Sequence, residues 1–220
     1  MVEYIRSLKP IILVRHGQSH SNIDPTVGGW QDPGLTPHGR KQAEAAAKSL
    51  TKILHGRNVG MYTSHLRRAH ETAEIICSQL DAEPTIDESL QEYQTNLDPE
   101  LSRPEAEERM IERGNPVKDW RAYQGAESLG EMYHRAGGVL TRIMESDHDV
   151  ILIISHGWLI DKMIAWWMGI DVDDIRPNMF TTANASISVL SVSEFGERIL
   201  LKLNDTSHLI GITEQHSILD

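Results

Sequence analysis

Residues 11–19 read IILVRHGQS and residues 150–157 read VILIISHG. In both, an aliphatic run without polar alternation leads directly into a polar residue followed by His-Gly. A strand with one wet face alternates apolar and polar residues, whereas runs such as Ile11–Val14 and Val150–Ile154 suit strands covered on both faces. Strands of that kind lie between helix layers, so the two stretches point to an α/β architecture with a mostly parallel central sheet.

The intervening sequence supplies the helices. Thr36-Pro37 has the form of an N-cap followed by proline at the first helical position, and Ala43, Ala47, Leu50 and Leu54 keep helical spacing until Gly56. Asn58–Tyr62 reads as a short strand, after which Ser64 is placed to cap a helix carrying Ala69, Ala73, Ile76 and Leu80. Leu129, Met132, Ala136, Leu140 and Ile143 mark a further helix, weakened by Gly137-Gly138 in its middle. Helix-like residues 158–168 follow the Val150–Ile154 strand; Ile187–Val192 and Ile199–Leu203 then suggest a hairpin at a sheet edge, turning at Phe195-Gly196. With 220 residues and 40% hydrophobic content, the chain suits one domain, 1–220, with a substantial core. No repeat or low-complexity tract interrupts it.

Between Asp98 and Arg121, twelve of twenty-four residues are charged and three are proline, with little amphipathic order. Two readings are open: a solvated surface helix and loop, or a cap-like insertion of about 93–125 over a site, with Arg103, Arg109 and Arg113 turned toward substrate. Trp166-Trp167 likewise reads either as core or as part of an interface such as a homodimer's.

Composition narrows the function. A net charge of -11 disfavours nucleic acid and anionic membranes as partners, since both select basic surfaces. Cys77 is the only cysteine, so no intramolecular disulfide or cysteine-built metal site is expected, which fits a reducing cytoplasm. The MVEYIRSLKP start lacks an apolar signal core, and the aliphatic runs are too short to span a bilayer. A soluble, cytoplasmic protein is the expectation.

In open parallel α/β sheets, ligands bind beyond the carboxyl ends of the strands. Three strands here end in Arg15-His16-Gly17, in Thr63-Ser64 leading to Arg68, and in Ser155-His156-Gly157. Parallel strands bring these groups to one edge. The arginines are permanent fork-shaped cations, Arg68 falls in the first turn of its helix, and each glycine allows close backbone approach. Together they form a positive cup on an acidic protein, suited to an anion such as phosphate. Neutral imidazole is a competent nucleophile near pH 7, arginines stabilise a transferring phosphoryl group, and a carboxylic acid is then wanted for the leaving oxygen. Composition and spacing do not select that acid among 32 Asp and Glu.

The motifs resemble those of the histidine phosphatase superfamily, in its phosphoglycerate mutase-like branch. LVRHGQSHSN is similar to the signature strand and loop, DPGLTPHGRKQA to the start of the first helix, and TSHLRRAHETA to the motif bearing the second arginine. LQE within ESLQEY resembles the motif ending in the family's acid, GAESLGEMYHR the Gly-x-Glu-Ser helix start, IISHGWL the second histidine, and NASISVL and LNDTSHL the closing strands and tail. The resemblance implies a three-layer sandwich with a capping insertion. It also implies that His16 is phosphorylated, that Arg15, Arg68 and His156 hold the phosphoryl oxygens, and that Glu92 is the proton donor, with Glu127 the next candidate. Gln18, Asn22 and Gly29 match positions contacting phosphate or substrate, with an Asx-turn and a tight turn before Trp30 as their alternative roles; Gly157 completes the cup. No metal or other cofactor is implied.

Departures from the family bear on the reaction. Gln18 stands where many members have Glu, and Glu92 is followed by Tyr93-Gln94-Thr95 rather than the mutases' Arg and Tyr motif or the usual Gly-rich turn. The insertion has no adjacent arginine pair, and Trp158 replaces the mutases' Asn. These favour a phosphomonoester hydrolase acting on a small phosphorylated metabolite over a cofactor-dependent phosphoglycerate mutase, although Gly29-Trp30-Gln31-Asp32 resembles the mutase stretch. Two other classes are weighed: a non-catalytic phosphate-recognition protein on the same fold, and a metallohydrolase using His16 and His20, a pair lacking the adjacent Glu of a zinc-protease helix.

Overall fold

The computed structural model describes residues 9–212, so the reading of the first eight residues lies outside it. Six strands form one sheet: β1 (Ile11–Arg15), β2 (Val59–Thr63), β3 (Thr85–Ile86), β4 (Val150–Ser155), β5 (Ile187–Val192) and β6 (Arg198–Asp205). Their order is β3-β2-β4-β1-β5-β6, with the first four parallel and the β5–β6 hairpin antiparallel at the edge.

Helices α2 (Pro37–Leu54) and α3 (Arg67–Leu80) cover one face; α5 (Leu129–Met144) and α6 (Gly157–Trp167) cover the other. Two shorter helices, α1 (His20–Ile23) and α4 (Arg103–Glu107), lie in connections. Both faces of the central strands are therefore buried, which accounts for the uninterrupted runs. Ile11, Leu13, Ile151 and Ile153 pack toward Met132, Leu140 and Ile164, while Ile12, Val14, Leu152 and Ile154 pack toward Leu50, Ala73 and Ile76. Among the described residues, no helix is long and apolar enough to cross a membrane.

Thr36 caps α2 as expected, its hydroxyl accepting from Gly39 N–H at 3.0 Å. Ser64 does not cap α3: its Oγ accepts from Leu66 N–H at 3.1 Å and shapes the turn, and the helix starts at Arg67. The glycine pair does not interrupt α5. A Cβ on Gly137 would stand 2.2 Å from Trp166 Nε1, so its absence lets α5 and α6 touch, while Gly138 faces open space. Trp167 is core, 1% exposed, and its indole N–H donates to Ile199 O; Trp166 is half-buried, and Arg198 lies over both rings.

The charged 98–121 segment is more than a solvated loop. Leu101, Ala106 and Trp120 are buried with Ala122 and Tyr123 in a third apolar cluster, packed on Leu129 and Tyr133 of α5 and on Ile175. These residues follow no single helical period, which conceals the cluster from sequence patterning.

Candidate active site

Arg15 and Ser155 are register partners at the carboxyl ends of β1 and β4, so the next residues, His16 and His156, stand side by side. His16 N–H donates to Ser155 O at 2.9 Å, and the two rings lie 5.1 Å apart between centroids. The chain leaves β1 toward α2 on one face and β4 toward α6 on the other. That divergence makes a topological switch point, where open α/β sheets form crevices. One strand further along the sheet, Arg68 enters from the first turn of α3.

The two His-Gly pairs serve different steric needs. A Cβ on Gly17 would fall 2.5 Å from Gly39 O, so this glycine is demanded by the close approach of α2. At Gly157 a Cβ would meet the Arg15 guanidinium at an ordinary 3.5 Å; this residue opens α6 beside that cation.

His16 is 3% exposed, and its Nδ1 lies 2.7 Å from Gly17 O. Donation there fixes the tautomer and leaves the Nε2 lone pair facing Arg68, whose Nε–H donates to it at 3.2 Å. Burial, then the charges of Arg68 and Arg15, hold the His16 pKa well below the ordinary histidine value. His156 is fully buried, and neither of its ring nitrogens has a hydrogen-bond partner among the described residues. Its pKa is also pushed well down, by burial first and then by Arg68, His16 and Arg15. Such an unpaired buried polar group is costly, and an oxyanion seated in the cup would give it a partner.

The arginines are braced from outside the cup. Arg15 Nη1 donates to Thr182 O, and its buried Nε has no hydrogen-bond partner among the described residues. Arg68, 3% exposed, donates from Nη1 to Gly29 O at 3.1 Å, with Asp32 at 4.0 Å. Burial lowers the pKa of both while the Glu92 charge opposes it, and both guanidinium groups stay cationic at neutral pH.

Glu92 reaches the same place from the loop after β3. Its Oε1 accepts from Tyr93 N–H at 3.0 Å and its Oε2 from Trp158 N–H at 3.3 Å, so the first turn of α6 holds the carboxyl. Arg135 clamps this loop, donating to Ser89 O, Gln91 O and Glu92 O. Glu127, the next candidate acid, is occupied elsewhere: its carboxylate pairs with Arg135 and accepts from Gln94 N–H at 2.8 Å.

Three other expected residues serve the loop around the cup. Gln18 Oε1 accepts from the Thr36 hydroxyl at 2.8 Å; Asn22 Oδ1 accepts from Ser19 N–H at 2.9 Å; Gly29 contributes its carbonyl to Arg68. Sequence patterning missed Thr72, whose hydroxyl accepts from Gly17 N–H and donates to Arg68 O, and Asn184, which donates to His16 O. It also missed Arg135 and the Thr182 carbonyl. None carries a local signal, because each acts on a residue distant in sequence. Of the three arginines in the charged segment, Arg103 ties down Ser21 O and Val27 O, Arg109 is exposed, and only Arg113 lines the cavity beside the cup.

That cavity, about 660 Å³, opens in front of Arg68 and Glu92 between the rings of Trp30, Tyr93, Trp120, Tyr123 and Trp158. A second groove of about 600 Å³, along Lys41, Lys48, Lys52 and His208, includes none of the cup residues. His20 is exposed, and among the described residues no group of three or more His, Cys, Asp or Glu side chains is placed to hold a metal ion.

The chain is similar to known proteins. Phosphoserine phosphatase 1 of Hydrogenobacter thermophilus is 30% identical over 207 residues, covering 90% of this chain and 93% of that protein. A 2,3-bisphosphoglycerate-dependent phosphoglycerate mutase of Bartonella henselae is 31% identical over 180 residues, covering 76% of this chain and 85% of its own. Among solved structures, a mycobacterial glucosyl-3-phosphoglycerate phosphatase complexed with VO3 shares the fold at a TM-score of 0.73 and 24% identity, covering 90% of this chain and 100% of that one. Residues 11–206 match the histidine phosphatase superfamily (branch 1), and the chain belongs to that family.

Proposed function

We propose that the protein is a phosphomonoester hydrolase that works without a metal ion and passes the phosphoryl group through His16 to water. The observation that carries this is the His16 ring: buried, kept neutral, and held by Gly17 O in the tautomer whose unprotonated Nε2 accepts from the Arg68 guanidinium. Nε2 attacks phosphorus, the phosphorus–ester oxygen bond breaks, and the Glu92 carboxylic acid protonates the departing alkoxide. Arg15, Arg68 and His156 hold the three non-bridging oxygens as charge spreads onto them. The Glu92 carboxylate then takes a proton from water, whose oxygen attacks phosphorus. The nitrogen–phosphorus bond breaks back to Nε2, and inorganic phosphate leaves.

Hydrolysis is favoured over the mutase reaction by what surrounds Glu92. A mutase must hold a second anionic group while excluding water. Beyond the cup, Arg113 is the only cation lining this cavity among the described residues, and it is exposed and stacked 5.4 Å over Trp120. The test is a screen of phosphomonoesters in the presence of a strong chelator, beside a mutase assay primed with bisphosphoglycerate. The expected result is net phosphate release that His16→Ala reduces by several powers of ten. His16→Ala activity within about tenfold of wild type refutes the nucleophile. Phosphoglycerate interconversion outrunning phosphate release identifies a mutase, and phosphate binding without turnover identifies a recognition protein.

A further inference from the structure

Accepting the hydrolase reading, the cavity beside the cup bears on the alcohol that the phosphate esterifies. About 660 Å³ equals the liquid volume of roughly twenty waters, several times what a three-carbon alcohol occupies. Five aromatic rings line it, and the indole N–H groups of two of them point away into the protein. Trp30 Nε1 donates to Leu101 O at 3.0 Å, Trp120 Nε1 donates to Ile111 O at 2.9 Å, and the Tyr93 hydroxyl accepts from Ala122 N–H at 2.8 Å. The two indoles therefore offer carbon surface. Met110 extends this surface to the exposed rim, and the remaining polar wall, with Gln94, Thr95, Asn96 and Asn178, is uncharged. Outside the cup, a carboxylate on the substrate would find, among the described residues lining the cavity, only the solvent-exposed Arg113.

We infer that the leaving alcohol is bulky, uncharged and largely apolar, aromatic or alicyclic, seated between Trp30, Trp120, Tyr123 and Trp158, instead of a short carboxylated alcohol. The charged segment between β3 and α5 would then act as the specificity wall, since it contributes Met110, Trp120 and Tyr123.

The test compares kcat/KM on the purified protein for ethyl phosphate, 2-phenylethyl phosphate, phosphoserine and 3-phosphoglycerate, all with alkyl leaving groups. Each buried methylene is worth about fourfold in binding, so a phenyl ring seated among the indoles should favour 2-phenylethyl over ethyl phosphate by at least ~100-fold. Trp120→Ala should reduce that ratio at least ~10-fold. Because Trp120 is buried, Met110→Asn on the rim provides a second variant, with the ratio expected to fall by about fourfold. A phenylethyl-to-ethyl ratio near one, or preference for phosphoserine or 3-phosphoglycerate, overturns the inference while His16-dependent phosphate release leaves the hydrolase reading standing. No turnover of any ester overturns both.

Discussion

Acidification should destabilise this protein through the two histidines that form the cup. His16 and His156 are buried beside two guanidinium groups and stay neutral in the fold, whereas in the unfolded chain each takes a proton near its ordinary pKa of about 6.5. The unfolded state therefore binds more protons as the pH falls, and stability present above about pH 6.5 is lost below it. For a histidine that stays neutral when folded, the loss is RT ln(1 + 10^(6.5−pH)): below about 0.1 kcal/mol at pH 7.5 and about 2 kcal/mol at pH 5.0. Two histidines give at most about 4 kcal/mol, a large part of a domain's usual 5–15 kcal/mol. His208, half-buried and also shifted down by burial, acts in the same direction. The paired carboxylates act in a separate range: Asp205, at about 2, and the lowered Asp87 and Glu131 lose their contributions as the pH falls toward and below the ordinary carboxylate range. Urea unfolding from pH 7.5 to 5.0 in phosphate-free buffer isolates the effect, since bound phosphate would stabilise the fold by mass action. The His16→Asn/His156→Asn double variant should show a much flatter profile. Wild-type stability constant within about 1 kcal/mol over that range, or a double variant with the wild-type slope, would refute the reasoning.

Other perturbations test single contacts. Lys162, fully buried, donates to Asp161 at 2.6 Å and to Arg176 O at 2.7 Å; Lys162→Met strands the Asp161 charge and should cost about 3–5 kcal/mol, read from urea midpoints. Neighbouring glycines of α5 should respond with opposite signs: Gly137→Ala meets the Trp166 indole and should destabilise by about 1–3 kcal/mol, whereas Gly138→Ala faces open space and should stabilise by about 0.5–1 kcal/mol. Equal thermal shifts for the two would contradict the packing described. Glu92→Gln should lower kcat/KM, which reports phosphorylation of His16, by about 10²–10⁴ for alkyl phosphates and far less for an activated aryl phosphate; equal lowering would assign the leaving-group proton to another group.

Much of this was legible in the chain because backbone regularities are periodic. Unbroken runs at Ile11–Val14 and Val150–Ile154 announce strands buried on both faces, and parallel pairing then brings His16 and His156 together although 140 positions separate them. Arg68 follows from the same logic, one strand over. Glu92 is different. It reaches the cup through the Arg135 clamp and the Trp158 N–H, contacts with no sequence spacing, so only the family resemblance pointed to it. Ser64 looked like a helix cap because its residue type suits one, but its hydroxyl is committed to Leu66. The wall around Trp120 was hidden because its apolar residues are scattered among charges and gather only through irregular turns.

The most direct test of the central claim is to trap the phosphoenzyme. Rapid mixing with a hydrolysed phosphomonoester, an alkaline quench and peptide mapping should find one phosphoryl group on His16, stable to alkali, lost in acid and absent from His16→Ala. A phosphoryl group on another residue, or steady turnover by His16→Ala, would contradict the account.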